Sequence, residues 1–333
     1  MAGAVLARAG LDRRGTLPLA SGTLMLAANA PDIDVFVLFL GSYAGLALRR
    51  GWTHGPIALV LLPLMVTAVM LAWDRLVRRR GARAASLAPV TAGATLLLAF
   101  IGVVSHPALD WLNTYGVRLM MPFSGEWFYG DAVFIIDPWL WLLFTAALVR
   151  WRRTRRRVQI FGAAAAAYVF GMIGASMVAE PMALRAAEAA GITGIEEVMY
   201  QPAPAQPHRA SLVVATRESY TLGTFRWLAP SARVTFLADP VPRGDWTASE
   251  VRRAMLDPRV RDYLVWSRFP FVRTEQTPEG TAVFFGDGRF IDGRAGGALQ
   301  GIRVVIDNQL VRPPPSLPRA GSNGRRDWHP ARG

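Results

Sequence analysis

Long apolar runs, each near the length a helix needs to cross a bilayer, limit this chain more than any other feature. Hydrocarbon offers no partner to a bare backbone amide, so a run of roughly 20 apolar residues is read as a spanning helix. Pro56 to Trp73, Val90 to Val104, Phe134 to Val149 and Val158 to Val178 fit, with Asp137 the single charge among them, and predict four membrane helices. Leu17 to Ala28 and Val35 to Leu48 are shorter and raise the expected number to about five or six. With 52% hydrophobic residues and a mean hydropathy of +0.25, the chain is too apolar for an ordinary soluble domain.

The formal charge of +13 first suggests a nucleic-acid surface. All 37 basic residues are Arg, however, and many are packed between apolar runs, at Arg75 to Arg83 and Arg150 to Arg157. That placement follows the positive-inside rule rather than a DNA-reading face, and no nucleic-acid partner is expected. There is no Cys, so disulfides, thiolate ligands and cysteine nucleophiles are excluded. Ala2 to Leu11 reads as a helix without the pattern of a cleaved signal peptide.

With both arginine clusters cytoplasmic, the start of the Pro56 helix, the end of the Val90 helix and the start of the Phe134 helix share the opposite side. His54, His106, Asp110, Asp131 and Asp137 then share one face, with Trp52, Trp111, Trp127, Phe128, Tyr129, Trp139 and Trp141 as an interfacial belt. A full crossing by Val35 to Leu48 would put His54 on the arginine side, so that segment is expected to be re-entrant or interfacial. Beyond Glu180 the composition changes. Pro181 to Tyr200 reads as an Ala-rich helix and Gln201 to His208 as a linker. Ser211 to Thr216, Tyr220 to Trp227, Arg233 to Leu237, Thr281 to Phe285 and Ile302 to Ile306 read as strands, and Thr247 to Leu256 as a helix. The fold class expected is a polytopic α-helical membrane domain (1–180), then a small α+β extracytoplasmic domain (181–310) and a disordered tail (311–333).

Four polar clusters at the edges of the apolar runs carry the chemistry: Asn29 to Asp34, Gly51 to His54, Ser105 to Asp110, and Tyr129 to Asp131. Ionisable groups beside hydrocarbon are costly and tend to be functional. His106 and Asp110, four apart, share one helical face, and Pro107 between them suits a helix start or break. Taken singly, each cluster also has a plain reading: Asp32 and Asp34 as caps, Thr53 as the cap of the Pro56 helix, Asp110 as a partner of His106. Jointly they offer the imidazoles and carboxylates of a hydrolytic metal site, with His54, His106, Asp110, Asp32 and Asp131 as candidate ligands. Asp32 or Asp34 is the candidate base, and the sequence does not separate ligand from base among the aspartates. His208 and His329 read as solvated, and Asp287-Gly288-Arg289 as a plain turn between strands.

In this order the clusters resemble the YdjM-like family of bacterial inner-membrane metal-dependent hydrolases. Asn29 to Asp34, Gly51 to His54, and Ser105 to Asp110 with Asn113-Thr114-Tyr115-Gly116 carry the likeness. Met121 to Ser124, Trp127, Gly130-Asp131 and Ile136 to Pro138 resemble its longer subgroup, which has a C-terminal domain. The resemblance implies a metal-dependent enzyme of the inner membrane; the ion expected is divalent, zinc or else manganese, and the arginine placement puts it at the outer face. There are two departures: no Thr-His precedes the first helix, and Arg49 stands where the family has a histidine. They imply an altered site or a start codon placed too late, and in the second case the upstream DNA encodes the Thr-His.

The function expected is metal-dependent hydrolysis with an activated water as nucleophile, on a phosphoester or lipid-derived substrate, among membrane lipids. The alternative is a non-catalytic scaffold or regulatory interaction protein with a degenerate metal site. A transporter fits less well, because the polar residues sit at one edge and no mid-span ionisable pair is visible.

Overall fold

The computed structural model describes residues 1–11, 19–81, 90–149, 154–230, 233–291 and 297–307. The expected tail at 311–333 lies outside them. The chain opens with α1 (Ala2–Leu6), continued by a π turn over Ala7–Leu11, then α2 (Ala20–Asn29). A 3-10 stretch over Ala30–Leu40 prolongs α2, the chain reverses at Gly41 (φ 117°), and α3 (Ser42–Leu48) returns toward His54. Long helices follow: α4 (Pro56–Arg79), α5 (Ala92–Trp111), the short α6 (Pro138–Leu148) and α7 (Arg155–Ala189).

Among the described residues four helical stretches are long and apolar enough to cross a membrane: Ala20–Leu40, Pro56–Arg79, Ala92–Trp111 and Arg155–Ala189. This differs from the sequence expectation in two places. Leu17 to Ala28 and the first part of Val35 to Leu48 join into one stretch of spanning length, and the rest folds back as α3. Phe134 to Val149, expected to span, is helical only over the 11 residues of α6, about 16 Å at 1.5 Å per residue. The cause is a strong start signal: the Asp137 carboxylate accepts from the Trp139 and Leu140 amides, both at 3.0 Å, and Pro138 follows at the first helical position. Phe134 to Asp137 is thereby held outside the helix.

α7 runs past residue 180 without a break and packs Ala179 and Ala183 against Tyr200, Leu212 and Phe225 of the C-terminal region. It ends where Gly191 takes φ 81° and the Ile192 amide reaches back to the Ala187 carbonyl. The expected helix to Tyr200 therefore stops early, and Ile195–Ala203 is strand β1. The expected linker, Gln201 to His208, is instead the end of β1, a two-residue turn and the start of β2 (Gln206–Thr216). With β3 (Ser219–Arg226), β4 (Val234–Phe236) and β5 (Val241–Pro242) these form an antiparallel five-stranded sheet. Helices α8 (Ser249–Ala254) and α9 (Pro258–Trp266) precede a three-stranded sheet of β6 (Pro270–Thr277), β7 (Gly280–Asp287) and β8 (Ile302–Ile306).

The two halves share a core. Leu46 of α3 is buried with Val251, Val260, Tyr263, Trp266 and Phe285, and Tyr115 and Trp127 pack on the same cluster. The Trp127 indole donates to the Val265 carbonyl at 2.8 Å, the Trp139 indole to Ala205 at 3.2 Å, and the Tyr43 hydroxyl to Gly301 at 3.1 Å. Part of the expected aromatic belt thus serves as the seam between halves, whereas Trp52 and Trp141 remain exposed.

Candidate metal centre

Two helix packings bring the clusters together. Ala20, Leu24 and Ala27 of α2 are fully buried against α5, where Gly102 permits close approach: a Cβ there would stand 2.6 Å from the Ala27 methyl. One turn later His106 reaches the end of α2, its Nδ1 2.7 Å from the Ala28 carbonyl. Ahead of α4 the Gly51 carbonyl accepts from both His54 and Gly55, a turn that directs the His54 ring inward to complete burial. The two imidazole centroids lie 5.3 Å apart.

Proton bookkeeping then fixes both rings. A carbonyl only accepts, so His106 Nδ1 carries the hydrogen. The Thr53 hydroxyl donates its one proton to Asp34 Oδ2 at 3.1 Å and must therefore accept from His54 Nδ1 at 2.9 Å. With both rings neutral, each Nε2 is then left with a lone pair, and both are buried without a hydrogen-bond partner. They face Asp110 Oδ2 at 3.2 Å from His54 and 3.5 Å from His106. The other Asp110 oxygen is taken by Arg50 Nη2 at 3.0 Å. Three lone-pair atoms within 4.8 Å of one another, with no hydrogen directed between them, are costly in a low-dielectric interior unless a cation joins them. A proton on one ring would satisfy a single pair; a divalent ion would satisfy all three. The separations from Asp110 approximate the roughly 3.4 Å edge of a tetrahedron with bonds of about 2.1 Å. His54, His106 and Asp110 fit a divalent metal.

The aspartates of the first cluster are separated by the structure. Asp34 is buried and fully engaged, accepting from Arg49 Nε at 3.3 Å, the Arg50 amide at 2.7 Å and Thr53. Asp32 is half exposed, its Oδ1 3.6 Å from His106 Nε2 and 3.3 Å from Arg49 Nη2. Neither caps a helix. Arg49 spans the two carboxylates.

Other expected residues fall elsewhere. Asp131 is not in the His54, His106 and Asp110 group: both its oxygens are held by Arg268 Nη1, at 2.8 and 3.0 Å, and Arg268 also binds Glu197 and lies over the Tyr129 ring. Asp137 caps α6 and accepts from the Tyr168 hydroxyl. Thr53 does not cap α4, whose cap position is Gly55, and Pro107 sits inside α5 without ending it.

Sequence reasoning missed Arg50, which ties Asp110 to Asn113 Oδ1 at 3.1 Å and lies 4.6 Å from the Tyr115 ring centre. Its position beside Gly51 to His54 was the available signal. It also missed that Asp287 and Arg289 form a fully buried ion pair at 2.9 Å. Arg289 donates on to the Thr114 carbonyl at 2.7 Å, clamping the Asn113 to Gly116 segment from the C-terminal side. Burial alone would raise the Asp287 carboxyl, but the charge and hydrogen bonds of Arg289 outweigh it and hold the group below the usual carboxylate range.

The fold and site define an α-helical membrane protein with a histidine and aspartate centre near helix ends and a β-rich domain fused to it. Residues 1–179 match the YdjM inner membrane protein family, and the chain belongs to that family. No curated protein and no solved structure matches it.

Proposed function

We propose that the protein is a membrane-bound hydrolase that uses one divalent ion held by His54, His106 and Asp110. The observation carrying this reading is the convergence of two buried, unpartnered imidazole nitrogens and one carboxylate oxygen. Two nitrogens and an oxygen suit zinc, with manganese the alternative. When bound, the ion supplies Lewis acidity, drawing the pKa of water toward neutrality and polarising the scissile group.

The chain's own residues supply the rest. Thr53 and the Ala28 carbonyl lock the two rings, and Arg50 restricts Asp110 to one free oxygen. Asp32 is the candidate base, because it borders the centre and keeps water access, while Asp34 is buried and already accepts three hydrogen bonds. The arginines at the end of α4 and the start of α7 support a cytoplasmic location for those ends, and hence a centre and C-terminal domain on the outer side. A phosphatase reporter fused after residue 310 should be active in the periplasm; activity only in a cytoplasm-reporting fusion contradicts that orientation.

The direct test uses zinc-loaded full-length protein in lipid nanodiscs and bis(p-nitrophenyl) phosphate as probe. Asp32→Asn should keep its zinc and lose roughly 10²–10⁴-fold in kcat, with Asp34→Asn mainly losing metal and stability. Turnover that survives chelation, or an Asp32→Asn variant as fast as wild type, rejects the assignment. One feature favours a second reading, a scaffold or regulatory interaction protein with a degenerate site: Arg49 already pairs with both Asp32 and Asp34. That reading predicts loss of stability in His54→Ala and no turnover in any form.

A further inference from the structure

Asp32, His106 and Asp110 of the centre line a cavity of about 390 Å³. Leu140, Trp141 and Phe144 of α6 line it too, on a helix whose sequence PWLWLLFTAAL is wholly apolar apart from one threonine. Trp141 and Leu142 are more than half exposed, so this wall is continuous with an exposed apolar face of α6.

Charge narrows the occupant. Around the centre, Asp32, Asp34 and Asp110 stand against Arg49 and Arg50, so a divalent ion turns a net negative locality into a net positive one. Asp137, which also lines the cavity, is tied to the α6 N-terminus and Tyr168 and answers to those partners.

Resting on the hydrolase reading above, we infer that the substrate is an anionic glycerophospholipid whose phosphoester head meets the His54, His106 and Asp110 centre while its chain lies along Leu140, Trp141 and Phe144. Lipid enters from the bilayer, the apolar wall sets chain register, and the ion selects negative heads. A free phosphate ester offers the same head chemistry without the chain.

Native mass spectrometry of the full chain, exchanged into equal phosphatidylglycerol and phosphatidylcholine, reads zinc content and retained lipid on one sample. With one zinc per chain, retention should favour phosphatidylglycerol by about tenfold, and chelation should abolish the preference. The Trp141→Ala/Phe144→Ala double variant should keep its zinc and lose about tenfold in retention, as expected for removing contact with several methylenes. Excess glycerol 1-phosphate should not displace the lipid. Equal retention of the two lipids with zinc bound, an unaffected wall variant, or full displacement by glycerol 1-phosphate each overturns the lipid assignment and leaves the hydrolase reading standing. Absence of zinc from wild type overturns both.

Discussion

The Thr53 hydroxyl does more for the centre than its size suggests. By donating to Asp34 it is obliged to accept from His54, which presents the His54 Nε2 lone pair to the cavity. Thr53→Val keeps the shape and removes that constraint, and should weaken zinc affinity about 10–100-fold by titration calorimetry, with Thr53→Ser restoring it. Unchanged affinity in Thr53→Val would mean that the ring is fixed by packing alone. At the buried Asp287 and Arg289 pair the effect is on stability. Since the folded Asp287 pKa is depressed, its contribution is full above the unfolded value near 3.8 and is lost as pH falls through the folded value. Replacing Arg289 with Met strands a buried carboxylate and should cost about 3–5 kcal/mol in reversible unfolding at neutral pH. A loss under 1 kcal/mol would contradict the burial that makes the pair matter, as about that much is typical of exposed pairs.

Helix ends, rather than helix faces, build the centre. Gly102 sets the distance between α2 and α5, so Gly102→Ala should cost about 1–3 kcal/mol by overpacking and lower zinc content, read by thermal melts and elemental analysis. A variant with wild-type melting and zinc would show that α2 can shift without moving Ala28 from His106. His54, His106 and Asp110 were legible in the sequence because helix length and arginine placement predict which ends meet. Asp131 was misread because its partner, Arg268, lies 137 residues later on a stretch with no periodic signal pointing back. The length of α6 was overread because hydropathy outvoted the Asp137-Pro138 start signal. β1 was read as helix because the Ala-rich run was carried through Gly191 and Gly194, both of which take positive φ and end it.

At the scale of the whole chain, the C-terminal half is fastened to the segment that carries the centre. Arg289 holds Thr114, Trp266 packs on Tyr115 at 5.1 Å, and Tyr115 in turn lies under Arg50, the residue that restrains Asp110. Sequence could not show this, since the two contacts that cross between the halves, Arg289 with Thr114 and Trp266 with Tyr115, join residues more than a hundred positions apart. It makes the β-rich domain part of the site's framework. The central claim, that distant imidazoles and a carboxylate share one cation, is tested most directly by zinc-edge X-ray absorption on the full chain in nanodiscs. Two imidazole nitrogens and carboxylate oxygen at about 2.0–2.2 Å are predicted, with one imidazole lost in each of His54→Ala and His106→Ala. A shell of oxygen alone, or a wild-type spectrum retained in both variants, would contradict it.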